Sequence, residues 1–175
     1  MKMAIVGLLG LTLVAGSMAA DIEFAGLKGK VPAGWKEENP SNTMRTAQYK
    51  LPKAEGSEDA ELAVFYFRGG SGSVDQNLAR QLAKFKAAGD VKPKVNVEKM
   101  KLGEKEATYQ DIQGVFLSKF PPFAPNAKIT EKADYRQIYV ICTTDNGDYY
   151  ITLLGPAKTV EKHKKDFDAM LKALK

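Results

Sequence analysis

Few side chains in this sequence are of a kind that makes or breaks bonds. There is one histidine, His163, and one cysteine, Cys142. A catalytic histidine needs a nucleophile and an orienting carboxylate within reach. His163 is flanked by Lys162, Lys164 and Lys165, with Glu161 and Asp166 the nearest acids, a setting that predicts an exposed or boundary side chain. Cys142 lies in an apolar run where nothing supplies the positive charge that a reactive thiolate needs, so a buried thiol is expected. A single Cys excludes an internal disulfide, a Cys-based zinc site and an iron–sulfur cluster. A single His excludes a multi-His metal centre. Asp145 and Asp148 bracket Asn146-Gly147, which is too few ligands at the wrong spacing for a calcium loop, and Asp at a turn has local reasons of its own. No cofactor is expected, and the residues read as those of a non-enzyme. The enzymatic alternative is a small envelope hydrolase or transferase working through carboxylates and tyrosines such as Tyr109 and Tyr135.

Two segments have the chemistry of binding instead. Gly69-Gly70-Ser71-Gly72-Ser73 opens a helix, with Arg68 before it and Arg80 one or two turns in. Free amides at a helix N-terminus beside a cation can hold an anion, so Arg68, Gly70, Gly72 and Ser73 form a candidate anion site. The segment lacks the Gly-Lys-Ser/Thr ending of a phosphate loop and the third glycine of a dinucleotide fingerprint. The plainer expectation is a flexible turn capped by Ser73. The second segment holds Phe120 and Phe123 among Pro121, Pro122 and Pro125. Aromatic rings on a stiff loop lose little entropy on docking, which makes Phe120 and Phe123 the partner-binding candidates. The competing expectation is that both rings fold back over the sheet edge.

What must position these residues is a chain of 175 residues, of which the first 19 read as an export signal. Lys2 precedes an apolar run over residues 3–15, and Ser17 and Ala19 suit cleavage after Ala19, with Ala20 the neighbouring option. The run is short and Gly-rich for a membrane span, although an uncleaved anchor is the alternative. Residues 20–175 make one domain of ordinary size, able to bury a core without a staple. A composition of 44% apolar and 27% charged residues excludes disorder. The net charge of +5 becomes +4 without Lys2. It comes from scattered Lys, with only Arg45, Arg68, Arg80 and Arg136 as arginines. A nucleic-acid surface would gather Arg into a stripe, so no nucleic-acid partner is expected. A weak attraction to anionic lipid or polysaccharide remains compatible with the charge.

The elements follow from periodicity. Residues 21–31 predict a strand running into the Pro32-Ala33-Gly34-Trp35 turn, and residues 44–51 a half-buried strand. Residues 61–67, ELAVFYF, have the unbroken apolar character of a strand covered on both faces. Ser73 and Gln76 form a capping-box pair, and Val74, Leu78, Leu82 and Phe85 continue at helical spacing toward Gly89. Further strands are expected around Val95 and Val97, over 106–117 with a bulge at Gly114, and over 135–144. Asn146-Gly147 predicts a tight hairpin with both central residues at positive φ. The return strand, 149–154, precedes a helix over about 159–174 with Val160, Phe167, Leu171 and Leu174 on one face. The sum is an α+β fold: an α/β/α sandwich with a mostly antiparallel sheet of six or seven strands and two main helices.

The segment YYITLLGPAKTV at 149–160, followed by the helix pattern Phe167-x-x-Met170-Leu171-x-x-Leu174, resembles the PsbP family of photosystem accessory proteins and the nuclear Ran-binding import factor of the same fold. It most resembles their exported bacterial relatives of unknown function. The resemblance implies a non-catalytic, adaptor-like or ligand-binding domain and carries over no functional residue. The expected protein is therefore exported, periplasmic or secreted, and binds a protein partner or small ligand. A polysaccharide or lipid surface is the alternative to these.

Overall fold

The computed structural model describes residues 20–121 and 124–175. The expected export signal, residues 1–19, lies outside the described residues, as does Phe123. The chain runs through β1 (Asp21–Phe24), β2 (Leu27–Lys30), β3 (Lys36–Glu37), β4 (Arg45–Leu51), β5 (Ala60–Arg68) and α1 (Val74–Leu82). It continues through β6 (Phe85–Lys86), β7 (Lys94–Leu102), β8 (Lys105–Phe120), β9 (Lys128–Thr144), β10 (Gly147–Pro156) and α2 (Ala157–Ala173).

The central strands form because β-branched and aromatic residues occupy both sides of the pleat. In β9, Ile138, Val140 and Cys142 face one way and Tyr139 and Ile141 the other, and all five are buried. β10 lies between β9 and β5, antiparallel to both. The sheet order is β3-β4-β5-β10-β9-β8, and both β6 and β7 pair with β8 at the far edge. Eight strands make this sheet, because the two-residue strands β3 and β6 join the six longer ones that periodicity reveals.

One face packs against α2, whose Val160, Phe167 and Leu171 meet Leu62, Val140 and Leu153. The β1–β2 hairpin completes that layer with Ile22, Phe24 and Leu27. The chain's last residue joins this hairpin: Lys28 N–H donates to Lys175 O at 2.8 Å, and Lys175 N–H returns a bond to Lys28 O at 3.1 Å. The other face packs against α1 through Val74 and Leu78, which meet Tyr139, Ile141 and Tyr150. Helices on both faces of a mainly antiparallel sheet make the α/β/α sandwich expected from the sequence.

Three local expectations are corrected. The first strand is a hairpin, because Ala25 and Gly26 take φ of 56° and 74° and reverse the chain. α1 stops at Leu82, and Phe85 pairs across β8 with Phe116 instead of extending the helix. The β9–β10 turn consists of Asp145 and Asn146, neither in the left-handed region, while Gly147 already pairs with Thr144. Gly147 has φ of 143°, and a Cβ there would sit 2.4 Å from Phe67 O. Close approach to β5 is what this glycine serves.

Candidate functional site

The two helices differ in reach. α2 spans 17 residues, whereas α1 spans nine and leaves part of its sheet face uncovered. The uncovered part is a cleft of about 480 Å³. Its floor is a grid set by strand alternation. Glu61, Ala63, Phe65 and Phe67 project from β5, and Thr152 and Leu154 from β10, with Ala63 directly opposite Thr152. That small pair leaves room where larger side chains would fill it. Phe65 and Phe67 on one side and Tyr139 on the other give the floor an aromatic character.

The walls are cationic. Arg80 of α1 donates to Ser71 O and to Asn77 Oδ1, both at 2.6 Å. Lys84, just past α1, is an exposed residue whose ammonium donates to Gln81 Oε1 at 2.7 Å, and both residues line the cleft. Loss of solvent and the neighbouring Arg80 charge lower the pKa of Lys84 below its ordinary value. Among the described residues neither Arg80 nor Lys84 pairs with a carboxylate. Arg45, on β4, pairs with Glu61 at 2.8 Å and lies over the Phe65 ring at 5.2 Å. Its Nε is buried without an acceptor, an unmet donor on the cleft wall.

The capping box expected at α1 is present: Gln76 N–H donates to Ser73 Oγ and Ser73 N–H to Gln76 Oε1, both at 3.2 Å. Those bonds consume the donor that an anion at Ser73 would use. Gly70 faces the Asp148 carboxylate, which a Cβ at Gly70 would approach to 2.9 Å, and Asp148 accepts from Tyr150 at 3.0 Å. Arg68 is exposed and lies outside the cleft. Around Gly70, Gly72 and Ser73 the turn is closed by its own capping bonds and faces the Asp148 carboxylate, while Arg68 is exposed. The nearby cation that does enter a cleft is Arg80.

His163 is buried, a correction to the exposed side chain expected from its lysine neighbours. Trp35 Nε1–H donates to His163 Nδ1 at 3.1 Å, so Nε2 carries the ring hydrogen and donates to Pro52 O at 2.8 Å. Cys142 is buried as expected, and burial raises its pKa. Tyr109 donates to Asp168 at 3.1 Å, and Tyr135 to Glu58 at 2.9 Å. The two phenols belong to different apolar clusters and do not converge. Phe120 ends β8 opposite Lys128 and is 76% exposed, so its ring does not fold back onto the sheet. No group of three or more His, Cys, Asp or Glu residues among those described is placed to hold a metal ion. No described helix is long and apolar enough to cross a membrane.

Sequence reasoning missed the cleft. Its trace was present as Glu61, Gln137 and Thr152, one polar residue on each of β5, β9 and β10, two positions from Ala63, Tyr139 and Leu154 on the same face.

No protein-family model matches this chain, and no curated protein matches it. Solved structures do. Protein PA94 of unknown function from Pseudomonas aeruginosa superposes with a TM-score of 0.51 at 12% identity, over 90% of this chain and 96% of that one. Cyanobacterial PsbP (CyanoP) from Synechocystis superposes with a TM-score of 0.50 at 12% identity, over 97% of this chain and 98% of that one. The fold is PsbP-like. The resemblance read from the 149–160 segment and the C-terminal helix thus holds for the fold. At this identity a PsbP-like fold assigns no role to any residue.

Proposed function

We propose that this protein is an exported, non-catalytic binding domain whose ligand is a small amphipathic anion held in the cleft between α1 and the sheet. The observation that carries the reading is the placement of Arg80 and Lys84, without carboxylate partners, over the aromatic floor. A hollow of this size with an apolar floor and a few convergent polar groups is the usual form of a small-ligand site. The apolar body of the ligand lies on Phe65, Phe67 and Tyr139, and its acid group meets Arg80 and Lys84. The Nε–H of Arg45 supplies one further donor. What supports a non-catalytic role is that His163 and Cys142 are absent from the cleft lining and touch no carboxylate. Export rests on the pattern of residues 1–19.

The test uses 8-anilinonaphthalene-1-sulfonate, a fluorescent anion with an apolar aromatic body, titrated into the native protein and two variants. Saturable, blue-shifted emission is expected. Lys84→Gln removes one charge-assisted contact and should weaken binding roughly tenfold. Ala63→Phe fills the floor and should abolish binding, with circular dichroism confirming the fold. Affinity should also fall as pH rises while still below 10.0, where the fold keeps its stability, because Lys84 loses its proton earlier than an ordinary lysine. Absence of saturable emission, or affinities within twofold in both variants, would remove the proposal.

A further inference from the structure

The β8–β9 pair outruns the sheet. β10 follows β9 only as far as Tyr135, and β6 meets β8 only at Val115 and Phe116. Leu117 N–H still reaches Lys84 O at 2.8 Å, and Lys86 pairs with Glu131 at 2.5 Å. Beyond these ties, Ser118, Lys119 and Phe120 pair only with Thr130, Ile129 and Lys128. The register shifts between Gly114 and Phe116, and Asp134 opposite takes φ of 50°, so an irregular step marks the base of this ribbon.

The composition of the ribbon end is one-sided. Phe120 is 76% and Ile129 52% exposed, the two bulky apolar side chains of the ribbon end. Each stands directly across from a lysine, Phe120 from Lys128 and Lys119 from Ile129. Residues opposite each other in an antiparallel pair project to the same side, so both sides of the ribbon carry one apolar group and one cation. No Asp or Glu occurs from residue 112 to residue 130. An exposed aromatic with flanking lysines and no acid is poorly matched to water and well matched to the boundary between anionic headgroups and acyl chains. A cationic, acid-free tip is complementary in charge to an array of anionic headgroups.

The geometry points to the β8–β9 ribbon end as a docking element for an anionic lipid bilayer, with Phe120 entering the interface and Lys119 and Lys128 contacting headgroups. This surface is independent of the cleft, so either reading can fail alone. The test uses residues 20–175, which hold all three apolar clusters and every described element, so that the apolar run at 3–15 contributes nothing. A Phe120→Trp variant is mixed with vesicles of phosphatidylglycerol and phosphatidylcholine, and with phosphatidylcholine alone. Its emission, after subtraction of the Trp35 signal from the unaltered protein, should shift to the blue only with the anionic vesicles, and salt should reverse the shift. Adding Lys119→Gln and Lys128→Gln should lower partitioning about 25-fold, from about fivefold per basic residue. An unshifted emission, equal partitioning of the lysine variants, or binding to a soluble anionic polysaccharide without vesicle binding would overturn the assignment.

Discussion

His163 holds together three parts of the chain that are far apart in sequence. Its two nitrogens join Trp35, ahead of β3, to Pro52, after β4, and its backbone belongs to α2. His163→Ala leaves the Trp35 N–H and the Pro52 carbonyl without their buried partner and opens a void. The expected loss is about 2–4 kcal/mol, read from urea unfolding, together with a changed Trp35 emission, since this is the only Trp. Unchanged stability and emission would mean that the contact contributes nothing. The burial of His163 was legible only in part. Its lysine neighbours in sequence suggest solvent, yet it stands three residues after Val160 and four before Phe167, on the same helical stripe. The stripe decides, because α2 lies flat on the sheet and residues one apart face different surroundings. Cys142 was legible throughout, since its whole neighbourhood is apolar.

At the scale of single elements, α1 is short and depends on its cap. Ser73→Ala removes one of two reciprocal bonds and should cost about 1 kcal/mol, with faster amide exchange confined to the first turn of α1 and weaker dye binding in the adjoining cleft. Gly155 tests strand packing instead. A Cβ there would lie 2.6 Å from the Ala60 Cβ and 2.8 Å from its Cα. Gly155→Ala should therefore push β10 away from the start of β5 and cost about 1–3 kcal/mol, seen as a lower urea midpoint. Cap and strands were readable because their causes are local: Ser73 and Gln76 satisfy each other, and an unbroken apolar run can only be buried. The end of α1 was not readable. Phe85 fits the helical period, but its ring finds Phe116 at 5.3 Å, and that tertiary contact outweighs the local preference. The cleft was unreadable for a related reason: it is a place that a helix fails to cover, and coverage is a relation between elements.

For the molecule as a whole, the phenols distribute a shared response to alkali. Tyr49, Tyr109, Tyr135, Tyr139 and Tyr150 all have raised pKa values, chiefly because folding removes their hydroxyls from water. Their ordinary value is 10.0. Below it both folded and unfolded chains keep the protons, and stability is unaffected. Above it the unfolded chain releases protons that the folded chain retains, so unfolding is favoured increasingly as pH rises. Stability should fall steeply above about pH 10. Phenolate absorbance should then grow in step with loss of the near-ultraviolet dichroism. Gradual titration of these five tyrosines in a protein that stays folded would contradict this.

The double backbone pairing between Lys28 and Lys175 places Lys175, just past α2, beside β2, one strand from β1. Ala20 and Lys175 are separated by roughly 15 Å, judged from strand spacing and rise, a gap that about six glycine and serine residues would span. In the fragment 20–175, joining Lys175 to Ala20 and opening the chain between Asp145 and Asn146 should yield a circularly permuted protein that still unfolds in one cooperative transition. Cargo attached at Ala20 or Lys175 of that fragment would share one neighbourhood, on the sheet face away from the cleft.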